Sequence, residues 1–236
     1  MADNRMLFRA GALCAGASAV TTFLLWLLPR LYEPANGFDE SIRLHAEPLY
    51  MTRWWVNFVH VFLALTGYWA AAAALWHRNR FLASSSLLWF LLWGFTEITG
   101  VSINIWAVNR TWRAQYSTAD PATQEIPKAN LTGFAAIWDA IFFVILISFL
   151  LGTLFLGLAA IGGAGLDRWL GVLLLLAVPL TVVILLSEYA SITGLGPVVA
   201  WSDPVLQPVS RALMAVWLWR TAARNLSTSH GLSPAR

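Results

Sequence analysis

Six long apolar stretches, separated by polar segments, dominate the pattern of hydrophobic and polar positions along the chain. A membrane-spanning helix needs about 20 mostly apolar residues, and each stretch approaches or exceeds that length. The pattern therefore predicts an all-α polytopic membrane protein, a single domain built as a bundle of six transmembrane helices. The predicted spans cover about residues 7–28, 54–76, 81–108, 131–161, 169–189 and 200–219.

The segments between the spans are of two kinds. Residues 77–80 and 162–168 are short links, which make the spans that they join antiparallel neighbours. Residues 30–53 and 109–130 are longer and carry prolines and acidic residues. Loops of this length are often functional, as lids or partner surfaces, although many are merely irregular.

Composition agrees with the membrane assignment. The chain has 236 residues, of which 58% are hydrophobic and 11% are charged, whereas a soluble domain has about 25% charged residues. Its 14 tryptophans suit a protein that anchors at two membrane interfaces. The basic residues are almost all arginines scattered singly near helix ends, which argues against nucleic-acid binding. Cys14 is the only cysteine, so an internal disulfide and a multi-cysteine metal site are excluded.

The distribution of arginine and lysine predicts the orientation, because cytoplasmic segments carry an excess of both. With both termini inside, the short links and the termini hold the larger share, and the two longer loops lie outside. The first span follows two arginines but is too long for a typical signal peptide, so it is interpreted as a retained helix. The arginine-rich chain is typical of a multi-pass protein of a bacterial inner (cytoplasmic) membrane.

Ionisable residues interrupt each of spans 2 to 6, and span 6 also carries Asp203 near its start. Such residues cost about 2.5–3.5 kcal/mol each at a helix centre, so they seldom face lipid without a partner or a task. A rise of about 1.5 Å per residue places all of them in the outer half of the membrane. Asn57 and Asn104 lie on the same helix faces as the ionisable residues of their spans. The interrupting residues are His60, Glu97, Asp139, Glu188 and Arg211.

Each interrupting residue also has a purely structural explanation. A single histidine is more often a hydrogen-bonded bundle residue than a metal ligand, and Asp139 and Glu188 lie near enough to the surface for hydration. Arg211 could snorkel, or pair with Glu188 or Asp203. Glu97 is the hardest to explain in this way, because it is deepest and has no basic residue in its helix. Together the layer predicts an outward-facing polar cavity with ligand contacts from Asn57, His60, Glu97, Asn104, Asp139, Glu188 and Arg211.

Three function classes remain open for such a cavity. The leading hypothesis is binding or transport of a small ligand, a lipid or protons. An intramembrane enzyme is the second, and His60, Glu97 and Asp139 are its candidate metal ligands, although no metal-binding motif joins them within a span. The third is a structural or accessory subunit whose polar layer only fixes helix packing. No motif identifies a cofactor, and haem is disfavoured because only His60 of the histidines lies within a span.

Span 2 also carries a stripe of small residues. Ala64, Gly67, Ala71 and Ala74 repeat at three- and four-residue steps below His60. Small faces let transmembrane helices approach closely, so the stripe is expected to face the bundle. The same stripe could instead form a homo-oligomer interface.

Three sequence stretches resemble a family of bacterial multi-pass membrane proteins, domain of unknown function 4386. The stretches are residues 95–104 (FTEITGVSIN), 133–134 (GF) with the apolar run after them, and 168–176 (RWLGVLLLL). The resemblance covers about residues 54–185. It implies a six-helix bundle with an acidic residue and an asparagine on span 3, here Glu97 and Asn104, and it implies no particular activity, substrate or cofactor.

Overall fold

The chain folds into helices joined by short connections. The computed structural model describes residues 3–190, 192 and 196–230, and within these ranges there is no strand. Two single 3₁₀ turns, Leu28–Arg30 and Leu44–Ala46, follow α1 and α2. The α-helices are α1 (Asp3–Leu27), α2 (Phe38–Arg43), α3 (Pro48–Leu75), α4 (Arg80–Ile103), α5 (Ala114–Thr118), α6 (Glu125–Ile161), α7 (Leu166–Tyr189) and α8 (Gly196–His230).

The six long helices pack in a ring that follows chain order. Each of α1, α3, α4, α6, α7 and α8 packs against its neighbours in the sequence, and α8 returns to pack along α1. The first and last helices therefore close the bundle. Its interior is filled by apolar side chains such as Val61, Phe90, Leu156 and Leu218, which are fully or almost fully buried.

Five helical segments are long and apolar enough to cross a membrane: Asn4–Arg30, Pro48–Leu75, Arg80–Thr118, Glu125–Ile161 and Leu166–Tyr189. Large apolar side chains on these segments point outward, including Trp69, Leu88 and Phe95, as expected where lipid replaces water around a bundle. The all-helical fold predicted from the sequence is confirmed, and these five segments have the length and apolar composition expected of membrane-spanning helices. The predicted sixth span lies within α8, which is not one of these five segments.

Several helices extend beyond the spans that hydropathy outlined, because hydropathy marks only the apolar part of a helix. Pro48 occupies the first turn of α3, where a missing N–H costs nothing, and the Glu47 side chain accepts a hydrogen bond from the Leu49 amide at 3.3 Å. The prediction of a loop over residues 109–130 is wrong for much of its length. A π-helical segment, Asn104–Arg113, continues α4 into α5, and α6 begins at Glu125.

Side-chain hydrogen bonds support the π-helical segment. Asn109 Nδ2 donates to the Asn104 carbonyl at 2.7 Å, and Thr111 Oγ1 donates to the Trp106 carbonyl at 2.9 Å. Both bonds span five residues, which is the spacing of a π-helix. In the turn before α6, hydrogen bonds from the Thr123 hydroxyl and amide hold the pKa of Asp120 below its ordinary value.

The small-residue stripe of α3 packs against α1 within the chain. A Cβ on Gly67 would lie 3.2 Å from the Ala15 Cβ, and Ala64 and Ala71 are fully buried. A Cβ on Gly11 would collide with Ala70. The stripe therefore faces the bundle, as expected, and leaves little surface for a second copy; a homo-oligomer through it stays a prediction.

A charged clasp closes the end of the bundle that carries the short links. Arg78, in the α3–α4 turn, donates to Asp167 Oδ2 at 2.6 Å, and Trp217 Nε1 on α8 donates to Asp167 Oδ1. The α6–α7 turn beside it bends at Gly165, whose φ of +59° suits glycine. We call Arg78, Asp167 and Trp217 the Asp167 clasp.

Candidate polar cavity

A cavity of about 390 Å³ lies between α1, α3, α4, α6 and α8, toward the end of the bundle that carries the longer connections. We call it the polar cavity. Its volume falls within the range of about 300–1,000 Å³ that is typical of small-molecule sites. One part of the wall is apolar, with Leu25, Ile145 and Phe149 among its members. The polar and charged residues that line it are Thr22, Arg30, Arg53, Asn57, His60, Glu97, Gln207 and Arg211.

Arg211 forms the buried floor of the cavity and joins three helices. Its side chain is on α8 and the residue is only 3% exposed. Nη1 donates to Thr22 Oγ1 on α1 at 2.6 Å and to His60 Nε2 on α3. Nε has no hydrogen-bond partner within the described part of the chain.

The charge on Arg211 determines how the protons of this network are arranged. A guanidinium is a donor only, so His60 Nε2 must accept and the imidazole must be neutral with its proton on Nδ1. His60 Nδ1 then donates to Thr21 Oγ1, which lies 2.7 Å away. The Thr21 and Thr22 hydroxyls donate hydrogen bonds to backbone carbonyls of α1 at 2.7–3.2 Å. Each of these hydrogen bonds then has one donor and one acceptor, whereas the longer approach of Arg211 Nη1 to His60 Nδ1, at 3.3 Å, joins two donors and is not a hydrogen bond in this tautomer.

Glu97 lies on α4, opposite this network. Its carboxyl group lies close to the side chains of Asn57 and Trp93 and interacts electrostatically with Arg211. A smaller cavity of about 220 Å³ shares Leu25, Arg53, Asn57, Glu97 and Ile145 with the polar cavity. Glu97 and Asn57 therefore lie where the two spaces adjoin.

Two more arginines line the polar cavity above Arg211. Arg30 follows the last turn of α1, is exposed, and stacks over the Trp26 ring with its guanidinium carbon 3.8 Å from the centroid. Arg53 lies in the second turn of α3, is half-buried, and lies 5.9 Å from the centroid of Trp54. Thr22, which binds Arg211, is about 12 Å below Arg30 along α1. The cations therefore become more buried from the mouth to the floor.

The structure brings together only part of the predicted polar layer. Asn57, His60, Glu97 and Arg211 line one cavity, whereas three other predicted contacts are not among its lining residues. Asp139 and Glu188 are exposed, Asp139 about four turns into α6 and Glu188 at the end of α7, and the Asp139 carbonyl accepts a hydrogen bond from the Tyr189 hydroxyl at 2.7 Å. Asn104 is buried, and its amide donates to the Gly100 carbonyl of its own helix at 3.1 Å.

The predicted partners of Arg211 also differ from the observed ones. Glu188 forms no ion pair among the described residues, and the Asp203 side chain lies outside them. Arg211 contacts neutral groups instead. The metal hypothesis gains no support, because the described residues contain no group of three or more histidine, cysteine or acidic side chains that could hold a metal ion. Asp139 in particular does not join His60 and Glu97.

Four contributors to the site were missed from the sequence. Arg30 and Arg53 flank predicted spans, where arginines are expected whether or not a site lies nearby. Thr21 and Thr22 were not considered, although two adjacent hydroxyls in an otherwise apolar span are a usable signal, because hydroxyls supply interhelical hydrogen bonds in membranes. Helical periodicity within one span could not connect any of them to Arg211.

The fold and the cavity define a polytopic, all-helical membrane protein with a buried cationic group beneath an internal cavity. Comparison of the chain with protein families, with curated proteins and with solved structures finds no match. The resemblance to the uncharacterised bacterial family accordingly stays a prediction, and the functional assignment is based on the residues themselves.

Proposed function

We propose that this chain is a six-span protein of a bacterial inner membrane that binds or transports a small-molecule or lipid ligand in the polar cavity. The observation that carries the proposal is the convergence of Asn57, His60, Glu97 and Arg211, from three helices, on one cavity of about 390 Å³. Ionisable groups within membrane segments mark ligand pathways more often than chance packing. A cavity with a few polar groups and an apolar wall is the usual form of a small-molecule site.

The orientation in this proposal is N-in/C-in, with α8 as the sixth span. It is supported by ring closure, because α8 packs along α1 and between two spans of the bundle. The end with the short links carries Arg78, Arg80 and Arg168, as the positive-inside rule requires of the cytoplasmic side. The polar cavity then opens on the outer side.

Native mass spectrometry of the protein, released from its membrane in a mild detergent, tests the ligand proposal. Leu25→Trp should fill the cavity, since Leu25 lines both the larger and the smaller space. Phe23→Trp is the matched control, because Phe23 is 45% exposed on the same helix. We expect bound small molecules or lipids on the wild type and on Phe23→Trp, and their loss from Leu25→Trp. Wild-type protein without a bound molecule, or bound molecules that remain on Leu25→Trp, would contradict the proposal.

A second candidate function is favoured by the contacts of Arg211. Its hydrogen bonds tie α1, α3 and α8 together, and interhelical hydrogen bonds can serve packing alone. The chain would then be a structural or accessory subunit of a membrane complex. Stoichiometric co-purification of one partner protein with an unliganded chain would favour this candidate over ligand binding.

A further inference from the structure

The polar cavity contains more positive than negative charge. Three guanidinium groups line it, from Arg30, Arg53 and Arg211, against one carboxylate from Glu97. Within the described part of the chain the ion pairs are Arg78 with Asp167 and Lys128 with Glu125, so none of these three arginines is in contact with a carboxylate. Burying a charge without a counterion is costly in any protein.

The buried side-chain atoms of the cavity wall that have no hydrogen-bond partner among the described residues are all hydrogen-bond donors. Among the lining residues, Arg211 Nε and the indole Nε1 of Trp26 are buried without a partner in the described residues. In the adjoining smaller cavity the same is true of Trp54 Nε1. All of these atoms are N–H donors. These donors therefore lack an acceptor among the described residues, in a cavity that also has an excess of positive charge.

We propose that the polar cavity binds an oxyanion, the phosphate or carboxylate group of an anionic ligand, between the guanidinium groups of Arg53 and Arg211. Arginine suits this task because its planar donors match the oxygens of carboxylates and phosphates. Arg30 at the mouth attracts the anion, and Glu97 on the opposite wall limits the charge that the site accepts. Because His60 is neutral, its hydrogen bond positions the Arg211 side chain without neutralising the guanidinium charge. The inference rests on the proposed function, since it names the chemical class of the ligand in the same cavity.

The apolar wall is compatible with two sources of such a group. Leu25, Ile145 and Phe149 could border the chains of an anionic lipid whose headgroup enters the cavity, or simply enclose a free anion. Both sources present the same oxygens to the arginines, so the experiment has an arm for each.

Thiol labelling with reagents of opposite charge tests the inference. In a Cys14→Ser background, Leu25→Cys places a thiol in the cavity wall and Phe23→Cys places one on the outer surface of the same helix. Each is treated with an anionic and a cationic methanethiosulfonate, and the rates are normalised to those of a free thiol. At the cavity thiol we expect a preference for the anionic reagent of about 25-fold, because one charge at contact distance in water speeds the anion and slows the cation by about fivefold each. The Phe23→Cys control should show no such preference.

The preference should fall in Arg211→Gln and Arg53→Gln. Arg53→Gln also serves if Arg211→Gln does not fold, because Arg53 has no role in the hydrogen-bond network beneath it. Arg110→Gln is the matched control: it removes the same charge from the same end of the bundle, where Arg110 stacks on Trp106 outside the cavity. An unchanged ratio in Arg53→Gln, or an equal fall in Arg110→Gln, would overturn the inference.

Protection experiments separate the two sources. Inorganic phosphate that slows labelling of Leu25→Cys in neutral detergent identifies a free anion as a sufficient ligand. Slowing in phosphatidylglycerol nanodiscs, but neither by phosphate nor in phosphatidylcholine nanodiscs, identifies a lipid headgroup. A cavity thiol that reacts equally with both reagents and is protected by neither overturns the anion assignment while the cavity remains open to water. A cavity thiol that no reagent reaches contradicts the proposed function itself.

Discussion

The arginines at opposite ends of the bundle are stabilised in different ways. In the Asp167 clasp the Arg78 guanidinium meets a carboxylate at 2.6 Å, and the Trp217 indole satisfies the second carboxylate oxygen. In the polar cavity the Arg211 guanidinium meets a threonine hydroxyl and a neutral histidine. The clasp is complete in itself. The cavity keeps a net positive charge, and the proposed binding of an anionic ligand is based on this difference.

The largest effect should come from adding a second cation beside Arg211. His60→Lys would place an ammonium group against the guanidinium and remove the acceptor for Nη1, which should cost about 3–5 kcal/mol of stability. His60→Gln is the matched control, because its amide offers one acceptor and one donor, as the neutral imidazole does. Equilibrium unfolding in detergent–SDS mixed micelles checks both. A His60→Gln protein as unstable as His60→Lys would refute the assigned proton arrangement.

Breaking the Asp167 clasp should have the next largest effect. Asp167→Ala removes the acceptor for both Arg78 and Trp217 and should lower the free energy of unfolding by about 2–3 kcal/mol. Asp167→Asn keeps an oxygen for Trp217 and loses mainly the ion pair. That loss should be under about 1 kcal/mol, because the Arg78 side chain is 41% exposed. The same unfolding assay measures both, and equal losses would show that the ion pair dominates the clasp. Ligand binding in the polar cavity should be unchanged in either variant.

Removing one neutral partner of Arg211 should be less damaging. Thr22→Val deletes the hydroxyl that accepts from Nη1 at 2.6 Å and should cost about 1–2 kcal/mol. Thr66→Val is the control, since among the described residues the Thr66 hydroxyl donates to the Phe62 carbonyl of its own helix and to no other helix. Thermal unfolding midpoints of the two variants in one detergent give the comparison. Equal midpoints would mean that Thr22 contributes nothing beyond an ordinary helix hydroxyl.

The smallest effect should be a change of preference rather than of stability. Glu97→Gln removes the carboxylate that opposes the three arginines, so the preference of the cavity thiol for an anionic reagent should rise by about fivefold. The direction is opposite to that expected for Arg53→Gln, which makes the pair of variants informative. A fall in the ratio on Glu97→Gln would show that Glu97 orders the arginines instead of opposing them.

The helical membrane class and much of the cavity's polar lining could be predicted from the sequence. The excess of positive charge in the cavity could not. A polar residue in an apolar span is conspicuous, and the helical rise per residue converts its position in the sequence into a depth in the membrane. Four lining residues could be predicted in this way: Asn57, His60, Glu97 and Arg211. Rotation about each helix axis is set by packing, so Asp139 and Glu188, at the same depth, fall on the exposed surface. Arg30 and Arg53 were missed because interfacial arginines are expected at helix ends regardless of any site.

In the proposed six-span arrangement, ring closure by α8 makes the Arg211 network one of the last groups of contacts to form during synthesis. Arg211 belongs to the last helix of the bundle, while Thr22 and His60 belong to the first and second of the long helices. An arginine near a helix centre costs about 2.5–3.5 kcal/mol to insert when it is alone in lipid. Here the hydroxyl and the imidazole that receive it are already in the membrane when it arrives. In the proposed six-span arrangement the cavity gains its floor only when α8 inserts, so a chain that ends before α8 lacks the Arg211 side of the proposed anion site.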